Sequence, residues 1–341
     1  MILGRYILKR LFHSIFVVFG LSIVIFLIAR VVPGDPARLS LGPRATEAAV
    51  EALREEMHLN DSLPVQYAYW IKGAVAGDFG NSLLTKRTVA TDIAEYFPRT
   101  LELVLFSGIL LVVFSILLGT IAATFRNSII DNLIRVMSYV GVAVPSFVMA
   151  VIFVLYFGYI NPILPVIGRL SSDIMTPPTI TGFLLIDSLL AGNLSAFFDA
   201  LKHLLLPASA LALGPLFQEA RIIRSTITDN MNKDYLLFVK SYGLPKRKCI
   251  GKYLLKPSVI PAVSTMGLDI ATMMGNAFMV ETIFNWPGIS KYGMTAMLNK
   301  DLNAISAVII IFGIVFVIVN ILVDIIAAML DPRIRLEGGA S

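Results

Sequence analysis

Apolar blocks separated by charge organise the chain. Leu11–Ala29 carries no formally charged side chain over 19 residues and ends at Arg30. At about 1.5 Å of rise per residue it nearly crosses a hydrocarbon core of ~30 Å. Further blocks are Leu103–Phe125, Val136–Gly168, residues 203–218, Pro257–Val280 (apolar except for Asp269) and Leu302–Val323, the last continuing to about Leu330. Each must fold as helix, because lipid offers no partner to an open backbone. The third block exceeds one span, so a kink is expected at Pro145 and an end at Asn161-Pro162. The fourth is short and holds Pro207 and Pro215, so it must run past its flanking charges or be irregular. The pattern predicts six spans.

The polar intervals are informative too. Residues 33–99 are too long for a turn. Within them Ala45–Met57 predicts a short amphipathic helix, capped by Thr46 or an earlier polar residue, with Ala48, Ala52 and Leu53 on one stripe. Gly73, Gly77, Asp78 and Gly80 mark a turn-rich stretch. In 169–200, Phe183–Leu190 is too short to span and belongs at the outer interface.

Composition agrees with a membrane protein: 57% of the 341 residues are hydrophobic and 15% charged. The net charge of +5 sits between spans and reports topology, with no basic, aromatic-interleaved stripe for nucleic acid. Arg5, Lys9 and Arg10 before the first block imitate a signal peptide. The block is too long for a signal core, and VVPGDP lacks a small-x-small site, so a retained first span with the N-terminus inside is expected. Six spans then place the C-terminus inside. They also place inside the most cationic connection, where nine Lys/Arg face only Asp229 and Asp234 between Arg221 and Lys256. The lone Cys249 lies there and reads as incidental.

Catalytic chemistry is not legible. His13, His58 and His203 are scattered, no HExxH or GxSxG occurs, and Gly243–Gly251 has the wrong spacing for a phosphate loop. Any ATP must sit on another subunit. Intramembrane acids remain, since a charge in a span usually has a reason. Asp269 shares a helical face with Met273 and Asn276. These read either as the wall of a translocation cavity or as interhelical packing. Glu281 ends the fifth span beside Trp286-Pro287-Gly288 and suggests an outer gate, with a structural role. Glu219 is expected to pair locally with Arg221 and Arg224.

The ordered motifs PGDPA (Pro33–Ala37), RTLEL (Arg99–Leu103), LPVIGR (Leu164–Arg169), TGFLLIDSLLAGN (Thr181–Asn193), KHLLLPASAL (Lys202–Leu211), DYLLFVKSYGL (Asp234–Leu244), VETIFNWPGI (Val280–Ile289) and LDPRIR (Leu330–Arg335) run nearly end to end. In these the chain resembles the permease subunits of bacterial ABC importers of the dipeptide/oligopeptide/nickel family. The resemblance implies an all-α polytopic protein with six transmembrane helices, a type I ABC importer permease of the bacterial inner membrane. It divides into a tail and first span (1–32), an extracytoplasmic region (33–98), a core permease domain (99–335) and a C-terminal tail (336–341).

It also implies that 234–261 is the EAA-type coupling loop. Gly243 matches the motif's glycine and Ile260-Pro261 its ending, while the triplet falls on Leu237-Phe238-Val239, a departure. The implied ATPase contacts are Asp234, Tyr235, Leu237, Phe238, Val239, Lys240, Gly243, Leu244 and Pro245. Implied partners are a second permease subunit in a heterodimer, two ATP-binding subunits holding ATP and Mg²⁺, a solute-binding protein and the bilayer. The implied cargo is a short peptide, with nickel or a metal chelate as the alternative. A stand-alone channel or ion-coupled carrier is the reading from another class.

Overall fold

The computed structural model describes residues 2–31, 36–42, 44–56 and 58–330. Pro33–Asp35 of PGDPA, and the chain from Asp331 on, with most of LDPRIR and the tail, lie outside the described residues. Every named element is helical: α1 (Ile2–Val31), α2 (Pro36–Leu41), α3 (Glu47–Glu56), α4 (Leu63–Val75), α5 (Val89–Thr124), α6 (Ile129–Ala143), α7 (Ser146–Phe153), α8 (Leu184–Leu190), α9 (Leu194–Met231), α10 (Asp234–Ser241), α11 (Lys246–Lys248), α12 (Lys256–Ile283), α13 (Ile289–Leu298) and α14 (Leu302–Leu330). A wider π-helical turn, Val154–Ile160, continues α7, and another, Cys249–Leu255, joins α11 to α12.

Among the described residues, five helical stretches are long and apolar enough to cross a membrane. Ile129–Ala143 and Ser146–Ile160 pass the same test only when taken together, and they meet at 104°, so the number of spans is six where this bent pair counts as one crossing and five where it does not. This bend is far sharper than the expected kink. Pro145 disfavours helical backbone at the residue before it, and Val144 is accordingly extended (φ −94°, ψ 117°), so α6 stops and α7 starts afresh. The span also begins earlier than expected, at Ile129, where the Ser128 hydroxyl accepts from Asp131 N at 3.3 Å.

The short fourth block resolves as extension. α9 is one helix of 38 residues through Pro207 and Pro215, about 57 Å long at 1.5 Å per residue. Asn193 caps its start, accepting from Ala196 N at 3.0 Å. It packs on α5, α6, α7, α8 and α12 and forms the hub of the bundle. Gly119 makes the α5 crossing possible, since a Cβ there would meet the Ala220 carbonyl at 2.7 Å. α1 lies outside this core, against α14 and α4. Ser22 and the Tyr67 hydroxyl hydrogen-bond at 2.7 Å, and Phe26 packs edge-on to Tyr67.

The 33–99 interval contains the expected helix, with Thr46 Oγ1 accepting from Ala49 N. Its buried stripe differs from expectation. Val50 is buried, Leu53 and Arg54 are half-buried, and Ala48 and Ala52 face outward. The bulkier β-branched side chain gains more from burial than two alanines. Gly73, read as part of a turn, lies within α4; Gly77 and Gly80 form the turns that follow.

Antiparallel packing gives the bundle two distinct ends. One gathers α8, α13 and the starts of α5, α9 and α14. The other gathers α10, α11, the start of α6 and the end of α9.

Candidate functional site: a cavity between two clamped ends

Between the ends, α6, α7, α9 and α12 line a partly open cavity of about 210 Å³. Asp269, Met273 and Asn276 share one face of α12, and all three line it, together with Thr272, Gln218 and the Gly214–Pro215 segment of α9. The lining has no Lys, Arg or His. The outward face of α12 also carries Thr272, Gly275 and Asn276, whereas that of α14 is Ile314, Phe316, Ile318, Leu322 and Ile326. A carboxamide and a carboxyl are costly against lipid, so the α12 face suits water or protein and the α14 face suits hydrocarbon.

Glu219 departs from its expected pairing with Arg221 and Arg224. A step of two residues turns a helix by about 200° and a step of five by about 140°, so both cations point away from it. Arg224 instead makes a bidentate pair with buried Asp131 of α6, at 2.5 and 2.7 Å, and Arg221 lies over the Tyr139 ring. Glu219 is fully buried, accepts from Thr265 Oγ1 at 2.9 Å and faces Asp269.

At the α8/α13 end the quoted motifs converge. Glu102 of RTLEL accepts from Arg169 of LPVIGR at 2.5 Å and from Leu185 N at 2.8 Å. The Arg169 guanidinium also donates to the Gly182 carbonyl and lies 5.4 Å from the centre of the Trp286 ring. Burial pushes the Arg169 pKa down, with Glu102 opposing the shift. Trp286 Nε1 donates to the Arg99 carbonyl at 3.0 Å. Glu281, fully buried, accepts from Thr100 Oγ1 at 2.5 Å and Lys291 N at 2.7 Å. The two residues expected at an outer gate are thus interior members of a clamp joining α5, α12 and α13. Sequence reading missed Glu102 and Arg169 as partners, although the motifs containing them were visible.

Asp187 of α8 closes the 181–187 turn by accepting from Thr181 N and Oγ1, both at 2.7 Å, and from Gly182 N at 3.0 Å. Burial alone would push its carboxyl up, but these hydrogen bonds hold it below the ordinary carboxylate range. A depressed folded-state pKa stabilises the turn above the unfolded value of about 3.9 and ceases to do so as pH falls through the folded value. Asp187→Asn is therefore expected to cost on the order of 1–3 kcal/mol near neutral pH. Hydrogen exchange at 181–183 should be faster in the variant at pH 7, and variant and parent should converge in strong acid. Equal exchange at pH 7 would show that the carboxylate does not hold the turn.

At the opposite end α10 carries a divided surface. Leu236 is buried at 1% exposure, while Tyr235, Phe238 and Tyr242 are exposed at 39%, 63% and 70%. The last two stack edge-to-face at 4.9 Å. Asp234 is exposed and Val239 half-buried; the side chains of Leu237 and Lys240 lie outside the described residues. Gly243 has φ +68°, followed by half-buried Leu244 and exposed Pro245. Cys249 is buried, its thiol 3.5 Å from the Leu244 carbonyl. Behind α10, Asn230 Nδ2 donates to Ser258 Oγ at 2.8 Å and Thr226 Oγ1 to the Ser258 carbonyl at 2.7 Å, tying the end of α9 to the start of α12.

This helical, membrane-crossing architecture is that of a polytopic permease. Residues 115–336 match the model of the binding-protein-dependent transport system inner membrane component, and residues 2–104 match the N-terminal model of such membrane components. The chain is 37% identical over 333 residues to the probable D,D-dipeptide transport system permease protein of Escherichia coli (strain K12), covering 97% of each. It is 33% identical to the dipeptide transport system permease protein of Alkalihalophilus pseudofirmus, covering 97% of this chain and 99% of that protein. Against the glutathione transport system permease protein of Escherichia coli (strain K12) it is 30% identical, with the same coverage. The chain belongs to the family of binding-protein-dependent transport system inner membrane components: it is a multi-pass inner-membrane permease subunit.

Proposed function

We propose that the chain forms one half of a heterodimeric, ATP-driven import pore for short peptides. The paired permease, two ATPase subunits holding ATP and Mg²⁺, and an extracytoplasmic binding protein complete the machine. The similar proteins are named for transport of a D,D-dipeptide, dipeptides and glutathione, which favours peptide over nickel or a metal chelate as cargo. The cation-rich α10 end faces the cytoplasm, consistent with the positive-inside bias. Residues 33–98 face outward, and the 99–335 core carries the pathway.

One observation carries the coupling role: α10 buries Leu236 in the bundle and presents Tyr235 and Phe238 beyond it, with exposed Tyr242 directly after its last residue. Three residues apart, Tyr235 and Phe238 share one helix face, and the Tyr242 ring meets Phe238 edge-on. Large rings exposed together suit insertion into a protein groove. Motion of α10 passes through Leu236 and the α9–α12 hydrogen bonds to the helices lining the cavity, alternating its access.

Phe238→Asp and Tyr242→Asp are expected to insert normally yet lose at least tenfold in co-purification with the ATPase subunits and in ATP-driven uptake. If both variants retain the ATPases and lose only binding to anionic liposomes, α10 is a lipid-surface helix. Peptide uptake by the reconstituted chain alone, without ATPases, would favour an ion-coupled carrier.

A further inference from the structure

The cavity has a cationic exit. On α9 the lining residues Gly214 and Gln218 fall in line with Arg221 and Ser225. Offsets of four, three and four residues keep all four within about 60° of one another. Exposure rises along this stripe, from half-buried Gly214 and Gln218 to exposed Arg221 and Ser225. Its flanks are closed: on one side Arg224 binds Asp131 of α6, and on the other Glu219 accepts from Thr265 of α12. The stripe is therefore the floor of a groove that runs from the cavity toward the α10 end. On α6, Tyr139 stands one turn below Val142 of the lining, and the Arg221 guanidinium lies over its ring, 5.9 Å from the centre.

Arg221 is the uncommitted cation of this groove. Arg224 is bound to buried Asp131, while Arg135 donates to Asn132 Oδ1 and lies 3.8 Å from Asp131. Among the described residues Arg221 has no hydrogen-bond or ion-pair partner beside its ring contact. A ring contact leaves the N–H fork of a guanidinium unused.

We infer that Arg221 receives the C-terminal carboxylate of the peptide as cargo leaves the cavity for the cytoplasm. This rests on the peptide-importer reading above.

The chemistry and the spacing select that group. A guanidinium fork meets the two oxygens of a carboxylate with two parallel hydrogen bonds. The cavity lining has no Lys, Arg or His, and Arg221 is the first cation beyond it along α9. It follows Gln218 by a rise of about 4.5 Å. A peptide whose body lies against the neutral lining thus reaches Arg221 with its terminal carboxylate. Water in the open groove keeps such an ion pair weak, which suits a site that must release its cargo.

The test uses the assembled transporter without nucleotide in phosphatidylcholine liposomes, cytoplasmic face outward, on a Cys249→Ala background. In Ser225→Cys, excess dipeptide should slow thiol labelling about tenfold, the scale of one charge-assisted hydrogen bond, and its C-terminal amide should not. Adding Arg221→Gln should erase the difference between acid and amide, and Arg221→Lys should keep part of it. ATP-driven uptake of the dipeptide should fall about tenfold in Arg221→Gln and less in Arg221→Lys.

Equal protection by acid and amide, or a difference that survives Arg221→Gln, would overturn the site. So would parent-level uptake by Arg221→Gln. Slow labelling that needs phosphatidylglycerol in the bilayer and ignores both peptides would assign Arg221 to lipid headgroups. Loss of uptake and thermal stability together, with lysine no better than glutamine, would make the residue purely structural. If the unaltered transporter shows no ATP-driven peptide uptake, the importer reading fails, while the labelling arm still decides the carboxylate site.

Discussion

Gly243→Val is expected to insert into the membrane at the parent level and to lose at least tenfold in ATP-driven uptake, with ATP hydrolysis no longer coupled to it. Gly243 sits at φ +68° between α10 and α11. A non-glycine residue in this left-handed region costs roughly 1–2 kcal/mol, and β-branching makes it a greater outlier. An added Cβ meets nothing within 4 Å, so no collision complicates the reading. The effect is purely on the backbone: valine drives the turn out of its left-handed conformation, and α10 swings relative to the bundle that Leu236 anchors. Asn tolerates this region far better. Gly243→Asn should keep most of the uptake and Gly243→Ala should fall between. If valine transports as well as asparagine, the turn does not set the position of α10.

Much of this architecture was readable because lipid imposes a simple rule: long uncharged blocks become helices. That rule located every crossing but not its ends. α5 begins at Val89, ahead of its apolar block, because Asp92 is satisfied by Thr85 and the Tyr292 hydroxyl, at 2.5 and 3.0 Å. α9 absorbs the charges of Glu219, Arg221 and Arg224, because tertiary partners on α6 and α12 take up the first and last and the Tyr139 ring takes the second.

The cavity face Asp269–Met273–Asn276 was legible from helical period alone, since it lies on one element. The clamp was not. Glu102 with Arg169 and Thr100 with Glu281 are joined across 67 and 181 residues of sequence, and periodicity within one helix carries no information about such a contact. Glu219 shows the complementary error. Nearness in sequence suggested an ion pair that the helix phase forbids, and the acid turned instead toward α12.

Removing Arg224 should be the most damaging single change at the α10 end. Asp131 is fully buried and depends on the bidentate guanidinium of Arg224 for its charge balance. Its remaining support is Asn127 N at 2.9 Å and Arg135 at 3.8 Å, beyond hydrogen-bond range. Stranding a buried carboxylate typically costs about 3–5 kcal/mol, whereas replacing both partners by apolar groups of similar volume is often neutral. Arg224→Met is therefore expected to lower thermal stability sharply in detergent and to reduce the amount of folded protein in the membrane. Arg224→Met combined with Asp131→Leu should recover most of that loss, a positive coupling measurable as a double-mutant cycle.

Stability and transport then separate. The double variant keeps the α6–α9 packing but loses the charged tie that fixes α6 to the end of α9 leading into α10. Uptake should stay well below the parent level if that tie transmits motion. A double variant restored in both stability and uptake would make the Asp131–Arg224 pair a local neutralisation with no part in coupling.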